Sequence, residues 1–127
     1  MPFAFREGSE GRDELPGGGW DTVIRWADAD RRAGRQRTAI SALEIMVAPR
    51  LQRRGISRLM LAAMCDNARR LGFVDLYAPL RPTEKHLEPL TPFAEYVARQ
   101  REDGLPYDSW IRAHVLAGTR IVKVAPL

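Results

Sequence analysis

Apolar positions recur every three to four residues from Ile56 to Leu71. Ile56, Met60, Ala63, Met64 and Leu71 fall on one face, with Asn67 in the same series. That period predicts a helix over Ser57 to Leu71. Gly72 is its expected stop after Arg69, Arg70 and Leu71, and Phe73 can pack back on the last turn. Val23, Ile24 and Ala27, with Trp20, predict a second helix over Trp20 to Arg32. Asp21 is expected to cap its start and Gly34 its end. Thr38 to Val47 reads as a strand, with Ile45 and Val47 facing one way and Glu44 and Met46 the other. Pro49 ends it, because proline cannot donate to a ladder. Val74 to Ala78 predicts a second strand, parallel to the first, giving a strand–helix–strand unit.

The C-terminal third is more broken. Pro79, Pro82, Pro89 and Pro92 predict an irregular stretch. Thr91 to Arg101 reads as a helix with Thr91 as cap, Pro92 in first position and Phe93, Tyr96 and Val97 inward. Asp108 to Ala117 reads as a further helix, capped by Asp108 and stopped by Gly118. Arg120 to Val124 is expected to close the chain as a strand. Arg6 to Gly19, rich in Gly, Glu, Asp and Arg, reads as loop or disordered chain. The expected organisation is a flexible N-terminal segment over 1–19 and a single domain over 20–127.

Composition narrows the class. The chain's 127 residues are about one domain's worth. Its apolar runs fall far short of the ~20 residues that span a bilayer. Met1 to Glu7 lacks a signal-peptide apolar stretch, so a cytoplasmic location is expected. Cys65 is the only cysteine, which excludes an intrachain disulfide and cysteine-rich metal motifs. Its neighbours Met64 and Ala68 predict a small buried side chain, not a reactive thiol. No metal is expected. The net charge of +4 comes almost entirely from arginine, since Lys85 and Lys123 are the only lysines. Such a charge suits nucleic acid or any acidic small molecule. The basic residues are spread along the chain and no nucleic-acid motif appears, so a small basic nucleic-acid-binding protein stands only as an alternative.

The junction between the Thr38–Val47 strand and the Ser57–Leu71 helix carries the sharpest chemistry. It reads Val47-Ala48-Pro49-Arg50-Leu51-Gln52-Arg53-Arg54-Gly55-Ile56-Ser57. A strand, a short basic loop with one glycine and a helix make a phosphate cradle. Free N–H groups of the first helical turn point at the anion, and the helix dipole favours negative charge there. Arg53 and Arg54 add positive charge. Gly55 lets the backbone come close.

Gln52-Arg53-Arg54-Gly55-Ile56-Ser57 resembles the Gln/Arg-x-x-Gly-x-Gly/Ala loop of the GNAT N-acetyltransferase superfamily. The preceding Val47-x-Pro49, the Leu71-Gly72-Phe73 after the helix, and a helix–Gly118–strand ending are similar to that family too. Ser57 departs from the usual Gly or Ala. The resemblance covers roughly Thr38 to Val124. It implies an α/β (α+β) fold with a mixed sheet. It also implies an N-acetyltransferase that moves an acetyl or acyl group from acetyl-CoA to the amine of a small molecule or protein. The backbone of Met46 and Val47 would bond pantetheine, and Gln52 to Ser57 would hold the pyrophosphate.

His114 stands four residues before Gly118, where many members of that family carry a tyrosine. There it would protonate the departing thiolate, and an imidazole suits that task near neutral pH. A histidine packed on a helix face with a backbone partner is an equal reading of the same residue. Glu44, on the strand bordering the substrate, is the candidate base, although a strand glutamate is more often solvent-facing. His86 reads as surface. Tyr107 and Asp108 are candidates for the acceptor wall. The resemblance also exposes a gap: members have two further strands and more before the strand at Thr38, and here about forty residues stand in their place. A degenerate coenzyme-binding module that needs a partner chain, or a homodimer, is therefore a second expectation.

Overall fold

The computed structural model describes residues 1–7 and 9–125. Along them run strand β1 (Pro2–Phe3), helix α1 (Gly19–Arg32), strand β2 (Ala39–Ser41), helix α2 (Ile56–Arg70), strand β3 (Leu76–Tyr77), helix α3 (Phe93–Ala98) and helix α4 (Ser109–Leu116). Short 3-10 turns lie at Pro49–Leu51 and Lys85–Leu87. The strands form one mixed sheet in the order β1–β2–β3. β2 and β3 are parallel, with Ile40 opposite Leu76 and Ser41 opposite Tyr77. The fold is α/β, and the expected strand–loop–helix–strand core is its centre.

The core lies under β1 and α1. Phe3, Phe5, Val23, Ala27 and Ala39 form it, with Leu15, Trp26 and Tyr77 packed against them. Phe3 meets Trp26 at 6.2 Å between ring centres, and Phe5 meets Tyr77 edge-on at 5.4 Å. Residues 1–19, read from composition as a flexible lead, thus supply a strand and two core rings. The composition of residues 6–19 masked the short aromatic run before them. Asp30 anchors this end of the molecule. Its fully buried carboxylate accepts from the Ala4 N–H at 2.7 Å, Arg12 at 2.8 Å and Arg35 at 3.2 Å. Burial alone would raise its pKa. The bonds from Arg12, Ala4 and Arg35 outweigh that and hold it below the usual carboxylate range.

Four expectations need correction. The Thr38–Val47 strand pairs only over Ala39–Ser41. A last bond from the Ala42 N–H to the Tyr77 carbonyl, at 2.7 Å, ends the ladder. Beyond Tyr77 the chain leaves the sheet, with Pro79 beside Gly19, so residues 43–48 have no strand to pair with among the described residues. Arg120–Val124 is not a strand: β1 takes one sheet edge and β3 the other, and Ile121, Val122 and Val124 are exposed. Gly18, not Asp21, occupies the cap position of α1, without a side-chain bond. Thr91 does not cap α3, because its hydroxyl donates to Glu88 at 3.1 Å instead.

The long helix is where the period placed it, but the buried face differs. Leu61 and Ala68 are its buried residues, whereas Leu59, Met60 and Leu71 are exposed. The face that packs is rotated by one residue, about 100°, from the one the pattern marked. Its stop is as expected: Gly72 has φ +83°, and the Phe73 N–H reaches back to the Ala68 carbonyl at 3.0 Å.

Candidate functional site

The divergence of β2 from β3 opens a cleft of about 530 Å³. Ile45 and Val47, on the unpaired continuation of β2, form part of its wall. Glu44 and Met46 alternate away from them and are exposed. The chain then makes its 3-10 turn at Pro49 and enters the loop. Gln52 closes that loop on itself, its side-chain amide donating to the Val47 carbonyl at 3.3 Å. Two residues turn left-handed, Arg53 at φ +59° and Gly55 at φ +74°. Gly55 caps α2, and no side chain satisfies the helix start. The first helical bonds are those from Arg58 and Leu59 back to the Gly55 carbonyl. The N–H groups of Ile56 and Ser57, which precede them, are the helix's free donors.

Gln52, Arg53, Gly55, Ile56 and Ser57 all line the cleft. Arg81, Thr83 and Trp110 complete the wall from two other segments. None of the lining residues is acidic. Arg50, Arg53, Arg54, Arg58 and Arg81 have no carboxylate partner among the described residues, a condition they share with Arg6, Arg25, Arg37, Arg70, Arg112 and Arg120 elsewhere; what sets Arg53 and Arg81 apart is that they line the cleft. Free N–H donors, left-handed backbone and unpaired guanidinium groups therefore gather at one place. That arrangement attracts a multiply charged anion.

The structure brings together most, not all, of the residues singled out from sequence. Val47, Gln52, Arg53, Gly55, Ile56 and Ser57 share the cleft; Arg54 is exposed beside it, and Met46 and Glu44 face away. His114 does not line it. The imidazole is buried and meets the Trp110 indole edge-on at 4.4 Å. Its Nδ1 lies 3.0 Å from the Trp110 carbonyl, and a carbonyl can only accept, so Nδ1 carries the proton. Burial lowers its pKa, and the bond to Trp110 only partly offsets this. His114 is thus neutral at pH 7 and offers Nε2 as an acceptor.

Asp108 is unavailable as an acceptor-site residue, since it is buried as the cap of α4. Tyr107 lines a separate shallow cleft with Gln100 to Asp103. His86 is exposed and Cys65 half-buried. Sequence reasoning missed Arg81 and Trp110 as cleft residues; an arginine set between Leu80 and Pro82 was the only cue. Among the described residues no cluster of metal-ligating side chains occurs, and no helix is long and apolar enough to cross a membrane.

Comparison with known proteins yields one pertinent similarity. Over 122 residues, 90% of the chain, the sequence is 31% identical to arginine N-acetyltransferase avaD of Aspergillus versicolor. The chain is a relative of an N-acetyltransferase. It spans 42% of that protein's length. No model of a known protein family matches the chain, and no solved structure does.

Proposed function

We propose that the chain is the donor-binding domain of a GNAT-type N-acetyltransferase, which moves an acetyl group from acetyl-CoA to an amine. The cleft at the parting of β2 and β3 carries this reading. Its loop presents free N–H groups and unpaired arginines where a pyrophosphate would sit. The backbone at Met46 and Val47, which has no strand beside it among the described residues, offers pantetheine amides an edge to pair with, the Val47 carbonyl being held by Gln52 alone. The domain is taken as residues 20–127, joined by β1 and the core rings Phe3 and Phe5 from the segment before it. The relative's name makes arginine the first amine to test. Calorimetry with acetyl-CoA is expected to give micromolar binding. No heat up to about 1 mM ligand would remove coenzyme A from the proposal.

Chemically, the amine nitrogen attacks the thioester carbonyl, the C–S bond breaks, and the thiolate takes up a proton. The proton transfers are assigned to His114 and Glu44. A neutral His114, packed behind the cleft-wall residue Trp110, fits uptake of the amine's proton better than its release, and Glu44, exposed on the open strand, is the alternative base. Because burial lowers the pKa of His114, the base is already deprotonated at pH 7. The rate is expected to be flat above about pH 6.5 and to fall as pH drops through the lowered pKa. His114→Gln is expected to abolish that inflection and cut turnover about 100-fold, with coenzyme affinity unchanged. An unchanged pH profile would return His114 to a packing role.

One observation favours a second reading, a coenzyme-binding module completed by a partner chain. α2 leaves Leu59, Met60 and Leu71 exposed, and β1 and β3 are both open edges. Light scattering beside a turnover assay separates the two: a dimer that binds acetyl-CoA without acetylating any amine supports the module.

A further inference from the structure

We propose that Arg81, braced on the indole of Trp20, is a second clamp on the coenzyme's diphosphate, reaching it from a segment distinct from the loop. The inference rests on the coenzyme reading above and adds a specificity-determining residue to it. The guanidinium carbon of Arg81 lies 4.7 Å from the centre of the Trp20 ring. Stacking there restrains a long side chain that would otherwise be free, and so lowers the entropy lost when it engages a ligand. Its backbone is framed as well. Pro79 sits against Gly19, at the start of α1, and Pro82 restricts Arg81 itself to extended conformations. An arginine held on both counts, yet without an acidic partner among the described residues, is prepared for something outside the chain.

The chemistry of the cleft identifies that something. Arg81 and Arg53 are its two guanidinium groups, and no carboxylate accompanies them. The peptide N–H groups of Ile56 and Ser57 can face only some of the oxygens of a diphosphate. The remaining oxygens need donors from elsewhere, and a planar guanidinium supplies two in parallel. Lysine at this position would carry the charge without the fork or the stacking geometry. Trp20, at the first turn of α1, thereby acquires a task the core does not explain: it is half-buried and absent from the aromatic cluster around Phe3.

The test is calorimetry on Arg81→Gln, Arg81→Lys and Trp20→Leu with two ligands, coenzyme A and its 3′-dephospho form. Arg81→Gln is expected to weaken both by the same factor, about 10- to 100-fold. Arg81→Lys should recover part of the loss, and Trp20→Leu should weaken both several-fold. Circular dichroism melts within a few degrees of wild type would separate these effects from misfolding. A loss confined to coenzyme A would place Arg81 on the 3′-phosphate and overturn the proposal. Unchanged affinity with a raised KM for the amine would overturn it in favour of acceptor recognition. A wild-type chain that binds neither ligand overturns the coenzyme reading itself, and Arg81 with it.

Discussion

Gly55→Val is expected to weaken acetyl-CoA binding at least ~100-fold while leaving the chain folded. Gly55 sits at φ +74°, and a Cβ built there would meet nothing within 4 Å. The penalty is therefore conformational. A β-branched residue resists the left-handed region, at a cost of roughly 1–2 kcal/mol or more. The loop is expected to escape that strain by rotating the peptides on either side of Gly55, which would turn the Gly55 and Ile56 N–H groups away from the cleft. Each hydrogen bond to a charged group contributes about 1.5–3 kcal/mol, so losing two accounts for two or more powers of ten in affinity. Gly55→Asn provides the control, because asparagine tolerates the left-handed region. It should bind within about 10-fold of wild type. Equal affinity for the valine variant and wild type, measured by calorimetry, would remove the loop from the site.

The largest stability effect is expected from Asp108→Ala, a loss of about 3–5 kcal/mol. One carboxylate oxygen accepts from the N–H groups of Trp110 and Ile111, at 3.0 and 3.1 Å. The other accepts from the Glu84 N–H and the Tyr96 hydroxyl, both at 3.0 Å. Glu84 answers by accepting from the Ser109 hydroxyl at 2.8 Å. Helices α3 and α4 and the turn at Lys85 thus converge on a single side chain. Burial, and then the bond to Asp108, push the Tyr96 hydroxyl's pKa well up, so it remains a donor at any ordinary pH. Alanine removes a helix cap, about 1 kcal/mol, and orphans two further donors at roughly 1–3 kcal/mol each. Against a total stability of about 5–15 kcal/mol that is severe. A thermal melt should drop by more than ~10 °C. A drop under ~3 °C would mean that Tyr96 and Glu84 find other partners. Asparagine is no remedy, since its amide would face the Glu84 N–H with a donor.

What the sequence made legible follows the range of each interaction. α2 and its stop could be read because period, Gly72 and Phe73 are all local. The Asp108 cap could be read for the same reason, two and three residues from its partners. The cleft-lining loop was legible because its glycine, its arginines and the helix start that follows are consecutive in the chain. The sheet was not. β1 is two residues long, and its place is set by pairing with Ala39 and Ile40, nearly forty residues on. Strand length in β2 is decided by where β3 turns away at Pro79, which no pattern within Thr38–Val47 records. The rotation of the buried face of α2 has a similar cause: its partner is α4, and the pattern of α2 alone holds no information about which side α4 takes. Arg81 and Trp110 escaped notice because they reach the cleft by tertiary packing alone. For His114 the packed reading, on a helix face with the Trp110 carbonyl as partner, matches its burial, and its protonation depends on packing that only the fold reveals.

The parting of β2 from β3 has a practical consequence for handling the protein. Leu43, Ile45, Met46 and Val47 form a short, mostly apolar stretch whose backbone groups have no strand beside them. The same donors and acceptors proposed to meet a pantetheine arm would fit an identical stretch from another molecule, the pairing from which aggregates grow. Coenzyme added during expression and purification would compete with that self-association. Soluble yield, and not only activity, should rise with its concentration.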